Sequence, residues 1–313
     1  MIVAQSVTDR KEETPMTPSV SLHHKGKQPA NRLNSAGALP YLLVLPCIIV
    51  FTVFVFYPFL KNIYLSLFLT NAASKPVKYV GFANYIRIFK DATFLKTLGI
   101  SFKFALYVGA GAFILGFILA LAANEHVRGS RIYETMYTIP LAIASVPTSM
   151  IFFVMMTPSG ILNFIFQTNI GWLTDARYAL WSVGAVTIWS NMGINVVFLL
   201  TGFRNVPHEL IECSRIDGAG YFTRLFKIVI PMASPQIFFV IFYNIVASFQ
   251  SFAQIRLLTK GEPYGTTEIL VYSIYKNAFL KSRFETACAM SVVLFLIIFI
   301  ITRIQFMFER KEY

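Results

Sequence analysis

The side chains best placed to do chemistry in this chain are uncharged amides and hydroxyls set inside apolar segments. Asn191 and Asn195 stand one helical turn apart, and Asn244, Ser248 and Ser251 recur at i, i+4 and i+7, with Gln250 and Gln254 beside them. Such groups donate to and accept from the hydroxyls of a neutral polyol without the desolvation cost that ions carry. Trp189 offers a ring to cover a pyranose face. The same residue types also join helices to one another in membranes. Catalytic constellations are missing: no nucleophile stands with a base and no carboxylates are paired, so neither an enzyme nor a cofactor of its own is expected. Cys47, Cys213 and Cys288 lie far apart, as do His23, His24, His126 and His208, which argues against a metal site or a disulfide framework. Gly26-Lys27 has neither the upstream glycine nor the hydroxyl residue of a G-x-x-x-x-G-K-S/T phosphate loop, so this chain does not cradle ATP in that way. No Asp, Glu, His or Lys falls mid-span, which weakens the case for a proton-driven carrier. Sodium coupling through backbone carbonyls escapes that argument, and an ion-coupled carrier or a channel stands as the alternative class.

The elements that must position these groups are membrane helices. The chain is 56% hydrophobic and 13% charged, against about 25% charged in soluble domains. Its net charge of +12 is scattered over tails and loops rather than gathered on one face with stacking aromatics, so nucleic acid is not an expected partner. Residues 1–36 are polar and rich in Ser, Thr, Pro and Lys, with no apolar signal-like run, and read as a disordered cytoplasmic tail. Residues 37–313 read as an all-α membrane domain with six spans, at about 39–60, 104–124, 136–156, 180–203, 230–253 and 287–308. Gly109, Gly111 and Gly116 thin one side of the second for close packing. Thr135 to Thr174 carries no charge at all; residues 157–179 read as an interfacial segment with Asn163, Gln167, Asn169 and Trp172, or as a re-entrant hairpin. Six spans put both termini on one side, but Lys and Arg divide almost evenly between the two sides and do not orient the chain.

Between the fourth and fifth spans lies a charged island, Val206 to Pro231. Pro207 suits a first helical turn, Glu209 and Glu212 put negative charge near its positive end, and Asp217-Gly218 breaks the helix. Phe222, Leu225, Phe226 and Val229 then mark a second helix at i, i+3, i+4, i+7 until Pro231. Two short helices joined by a glycine turn make a knob for a partner protein to grip.

The run Glu212-Cys213-Ser214, three residues, Gly218, nine residues, then Ile228-x-Ile230-Pro231 resembles the EAA loop of binding-protein-dependent ABC importer permeases, with Cys213 and Ser214 in place of two alanines and Ile230 in place of leucine. Arg215 to Ala219 is most similar to carbohydrate permeases of the maltose type. The resemblance extends from Tyr41 to Lys311, including Tyr57-Pro58, Phe82 to Tyr85, Trp172 to Asp175 and Leu257-Leu258-Thr259-x-Gly261. It implies a permease subunit in a bacterial cytoplasmic membrane, with both termini cytoplasmic. Its implied partners are ATP-binding cassette subunits that bind the ATP, a second homologous permease, an extracytoplasmic solute-binding protein near 61–96 and 256–285, and a small carbohydrate. The coupling residues it implies are Glu209, Glu212, Ser214, Asp217, Gly218, Ala219, Phe222 and Phe226. Carried over from the maltose permease, sugar contacts fall on Leu141, Ser145, Ser190, Asn191, Ile194, Ala247, Ser248 and Ser251; Asn244 joins them by its spacing. Leu141 replaces an aromatic hydroxyl, and Ser248 and Ser251 replace amides, which argues against maltose itself. Glycerol 3-phosphate is the rival substrate, though no Arg or Lys lies mid-span to meet a phosphate.

Overall fold

A computed structural model describes residues 39–71, 75–124 and 130–309. The tail 1–36 and the turn at 125–129 fall outside these. The chain divides into two units, 1–56 and 57–313. In the first, α1 (Leu39–Phe51) contains Pro46 and runs into a π-helical turn at Thr52–Phe56. Proline removes one intrahelical hydrogen bond, which a membrane helix tolerates.

The second unit starts with α2 (Tyr57–Ser66), a hairpin of β1 (Phe68–Thr70) and β2 (Pro76–Tyr79), and α3 (Ala83–Lys90). The hairpin is antiparallel, with Phe68 opposite Tyr79. The stretch 61–96, which lies between the first two expected spans, is therefore a helix end, a hairpin, a short helix and a helix start. Buried Asn84 closes it by donating to the carbonyls of Ser66 (2.8 Å) and Phe68 (3.0 Å). Thr70 Oγ1 and Arg87 Nη2 both donate to the Glu285 carboxylate, at 2.8 and 3.4 Å, which pins the segment to the last helix.

Helix α4 (Ala92–Asn124) has 33 residues, roughly 50 Å of rise, and begins well before the expected Phe104. Asp91 starts it by accepting from the Thr93 N–H at 2.8 Å. It packs along α8 (Ala179–Arg204). Glycine lets the two approach: a Cβ at Gly116 would lie 2.5 Å from Asn195 Cβ, and one at Gly111 would lie 2.5 Å from Ile188 Cδ1.

Two expected spans are bent. Ile132–Ala142 and Ser145–Met155 meet at 99°, and Tyr221–Met232 and Ser234–Phe249 meet at 72°. The first pair is α5 (Ser130–Ala142) and α6 (Ser145–Met155), with α7 (Ile161–Phe166) after it. Pro140 near the end of α5 and Pro147 in the first turn of α6 leave the backbone at the break short of donors. The motif loop supplies α9 (His208–Ile216), α10 (Tyr221–Arg224), a π-turn (Leu225–Val229) and α11 (Ile230–Met232). Then come α12 (Ser234–Phe249), α13 (Phe252–Leu258), α14 (Leu270–Tyr275), a further π-turn (Lys276–Leu280) and α15 (Phe284–Glu309). Among the described residues, four helical runs are long and apolar enough to cross a bilayer, or six if each bent pair crosses once.

Two cores mark the ends of α8. Near its start, Val183 and Val186 pack with Phe104, Val108, Met156 and Ile255. Near its end, Leu199, Leu200 and Phe203 pack with Ala120, Ala123 and Ala233.

Candidate functional site

The 206–231 loop is built as its residue types require. Helix α9 ends in a Schellman-type closure: the Gly218 N–H donates to the Arg215 carbonyl at 3.0 Å and the Ala219 N–H to the Ser214 carbonyl at 2.9 Å. Gly218 has φ +77°, the left-handed region that favours glycine. Nothing lies within 4 Å of the Cβ it lacks. Ser214 is buried and donates to the Ile211 carbonyl at 2.7 Å, while Arg224 Nη1 donates to the Ala219 carbonyl at 2.7 Å and ties the second helix to the turn. Glu209, Glu212 and Asp217 are exposed, and Glu212 Oε1 lies 3.8 Å from His208 Nε2.

The apolar spacing of the second helix splits between two faces. Leu225 turns inward and Val229 packs on the core at the end of α8, while Phe222 (71%) and Phe226 (64%) stay exposed. With Leu210, Ile216 and Tyr221 they give the loop an apolar rim.

The polar residues in the spans also divide. Asn195 and Asn244 are buried, and Asn195 Nδ2 donates to Asn244 Oδ1 at 3.2 Å, joining α8 to α12. Asn195 Oδ1 and Asn244 Nδ2 find no partner among the described residues. Ser248 is buried and donates to the Asn244 carbonyl at 2.6 Å; Ser251 donates to the Ala247 carbonyl at 3.0 Å. Ser190 and Asn191 are half-buried and Ser145 is exposed. Ser190 Oγ donates to the Val186 carbonyl at 2.9 Å, so its oxygen faces outward as an acceptor only. Trp189 is half-buried against Phe152.

Three arrangements escaped sequence reasoning, one joining residues distant in the chain and two lying within irregular loops whose pairings no spacing rule fixes. Arg204, the last residue of α8, clasps Glu134 near the start of α5: Nη2 meets Oε1, and Nη1 meets Oε2 at 3.3 Å. Its Nη2 also reaches the Ala123 carbonyl at the end of α4, at 3.4 Å. Asn163 organises the 157–178 segment. Its amide donates to the Pro158 and Ile170 carbonyls at 3.0 Å, and its oxygen accepts from Trp172 Nε1 at 2.9 Å and from Thr168 and Ile170. Beyond α13, buried Glu268 accepts from Lys276 Nζ at 2.8 Å, and that bond holds the ammonium above its ordinary range.

Long apolar helices joined by an exposed helix–turn–helix have the layout of a transporter's membrane subunit. The profile of the binding-protein-dependent transport system inner membrane component family matches residues 112–312, and the chain belongs to that family. It is the permease subunit of an ABC importer, a multi-pass protein of the bacterial inner membrane and not an enzyme; ATP is bound by a partner subunit. An sn-glycerol-3-phosphate transport system permease protein of Agrobacterium fabrum (strain C58) is 34% identical over 279 residues, 88% of this chain and 95% of that protein. The protein so named in Yersinia enterocolitica is 31% identical over 283 residues, covering 88% and 96%. Among solved structures, a chain of a bacterial ABC transporter involved in import of the acidic polysaccharide alginate aligns with TM-score 0.77 at 21% identity, covering 87% of this chain and 95% of that one.

Proposed function

We propose that this chain is one of two homologous permeases that together pass a small hydroxylated solute of the carbohydrate class inward, driven by a pair of ATPase subunits and fed by an extracytoplasmic binding protein. The observation that carries the coupling half is the exposed loop 206–231, closed at Gly218 and rimmed by Leu210, Ile216, Phe222 and Phe226. Apolar side chains at that exposure are the groups a partner surface would bury. Glu209, Glu212 and Asp217 form its charged edge, while Ser214 and Ala219 hold its turn. In this reading the loop and both termini face the cytoplasm, residues 1–36 are a tail, and residues 37–313 form the transport domain.

For the solute, the half-buried Ser190 and Asn191 and the exposed Ser145 are the contacts we favour; buried Asn244 instead ties α12 to α8, and Ser248 and Ser251 are buried with their hydroxyls bonded to carbonyls of their own helix. Purified chain, second permease, ATPases and binding protein, reconstituted in liposomes, should take up labelled oligosaccharide only when all are present with ATP. Uptake by this chain alone would instead establish the carrier or channel class. The names of the sequence relatives favour a second reading, sn-glycerol 3-phosphate as the solute. The same liposomes decide between them, since only one of the two labelled solutes should accumulate. Gly218→Asp should insert normally yet abolish uptake and stimulated ATP hydrolysis. Normal transport in that variant would remove the coupling role from the loop.

A further inference from the structure

Arg204 and Glu134 close the loop end of a cleft of about 490 Å³ between α5 and α8, lined also by Thr135, Thr138, Val197 and Thr201. The cleft continues the faces already assigned to the solute. On α8, Ser190, Ile194, Val197, Thr201 and Arg204 follow one another at alternating steps of four and three, one side of a helix. On α5, Leu141, Thr138 and Glu134 do the same. The two helices touch between these regions, where a Cβ on Gly193 would lie 3.1 Å from Leu141 Cβ. Past that contact the cleft opens.

Its chemistry is specific. Thr138 Oγ1 donates to the Thr135 carbonyl at 3.0 Å and Thr201 Oγ1 to the Val197 carbonyl at 2.8 Å, so both oxygens face the cleft as acceptors for a solute's hydroxyls. The one cation in the lining is Arg204, whose fork already holds a carboxylate. A guanidinium takes a phosphate in the same bidentate manner.

We infer that this cleft is a second solute site at the loop end of the pathway, built for a compact anion bearing hydroxyls, whose phosphate or carboxylate displaces Glu134 from Arg204. The inference rests on the second reading above, an anionic hydroxylated solute. Displacement frees Glu134 and with it the tie between α5 and α8. Arg204 stands two residues before Val206, so occupancy of the site also loosens the root of the coupling loop. Solute accumulated on the loop side would thereby slow further cycles.

The test uses the assembled transporter in liposomes, with ATP hydrolysis driven by loaded binding protein and sn-glycerol 3-phosphate added on the ATPase side. Hydrolysis should fall as it is added, and glycerol at the same concentrations should leave it unchanged. Arg204→Gln should raise the inhibiting concentration about tenfold or more, since it removes a charge-assisted pair. Glu134→Gln should lower it severalfold, because the internal competitor loses its charge. Opposite shifts from the two halves of one ion pair are not what loss of a structural contact gives. No inhibition of the wild type, equal inhibition by glycerol, or shifts of the same sign would overturn the site. If uptake proves confined to neutral sugars, the second reading fails, whereas intact phosphate-ester uptake with unshifted inhibition refutes the cleft alone.

Discussion

Asn163 shows how much one amide can organise. Every polar atom of its side chain is used, by backbone of Pro158 and Ile170, by Thr168 and by the Trp172 indole, and all four partners belong to one loop. Asn163→Ala strands these groups in a 5%-exposed position and should cost about 2–4 kcal/mol, read as a lower melting temperature and faster proteolysis within 157–178. Unchanged cleavage there would show that the segment holds itself. Sequence pattern found this stretch polar and interfacial but not its hub, since an asparagine in an apolar run looks alike whether it meets solute, another helix or its own loop. The same ambiguity covers Asn191 and Asn195: one helical turn separates them, yet the first is half-exposed and the second is sealed against Gly116. Residue type is legible in a sequence; the side that a neighbour occupies is not. Gly218 was legible, because a turn between two short helices has few other ways to end α9.

At the scale of elements, helix existence was written in the apolar runs and helix shape was not. The span at 180–203 and the helix Ala179–Arg204 nearly coincide, because the apolar run and the helix end together at Arg204. The start of α4 at Ala92 was hidden, since its first turns carry Lys96 and Lys103 and leave the apolar stretch while staying helical. The 99° bend between α5 and α6 follows from Pro140 and Pro147, but hydropathy averages across it. The α4–α8 seam allows a graded test. Gly116→Ala places a methyl 2.5 Å from Asn195 Cβ, and overpacking of that kind costs about 1–3 kcal/mol. Gly99→Ala, on the same helix with nothing within 4 Å, should stabilise by up to about 1 kcal/mol through helix propensity. Thermal unfolding in detergent should separate the two in sign. A loss at both positions would mean that glycine serves α4 through backbone freedom rather than through the seam.

For the whole molecule the decisive question is how often the chain crosses between the hairpin and the 206–231 loop proposed for coupling. Helix α8 has 26 residues, roughly 39 Å of rise, enough for one crossing. Glu134, near the start of the bent α5–α6 pair, clasps Arg204 at the end of α8, whereas Met156, just past the pair, packs with Val183 and Val186 near its start. The pair therefore runs the length of α8, as a crossing would, where a re-entrant hairpin would return to the end it left. If α4, the bent pair and α8 each cross once, three crossings separate Tyr79 from Cys213, and the two should lie on opposite faces of the membrane. Both are exposed. In a background with Cys47→Ser and Cys288→Ser, a membrane-impermeant maleimide should label Cys213 only from the cytoplasmic side. With Cys213→Ser added, Tyr79→Cys should label only from the outside. Labelling of both from one side would make α5–α6 re-entrant and put the 206–231 loop and the hairpin on the same face; labelling of Cys213 from the outside would leave the ATPases nothing to grip.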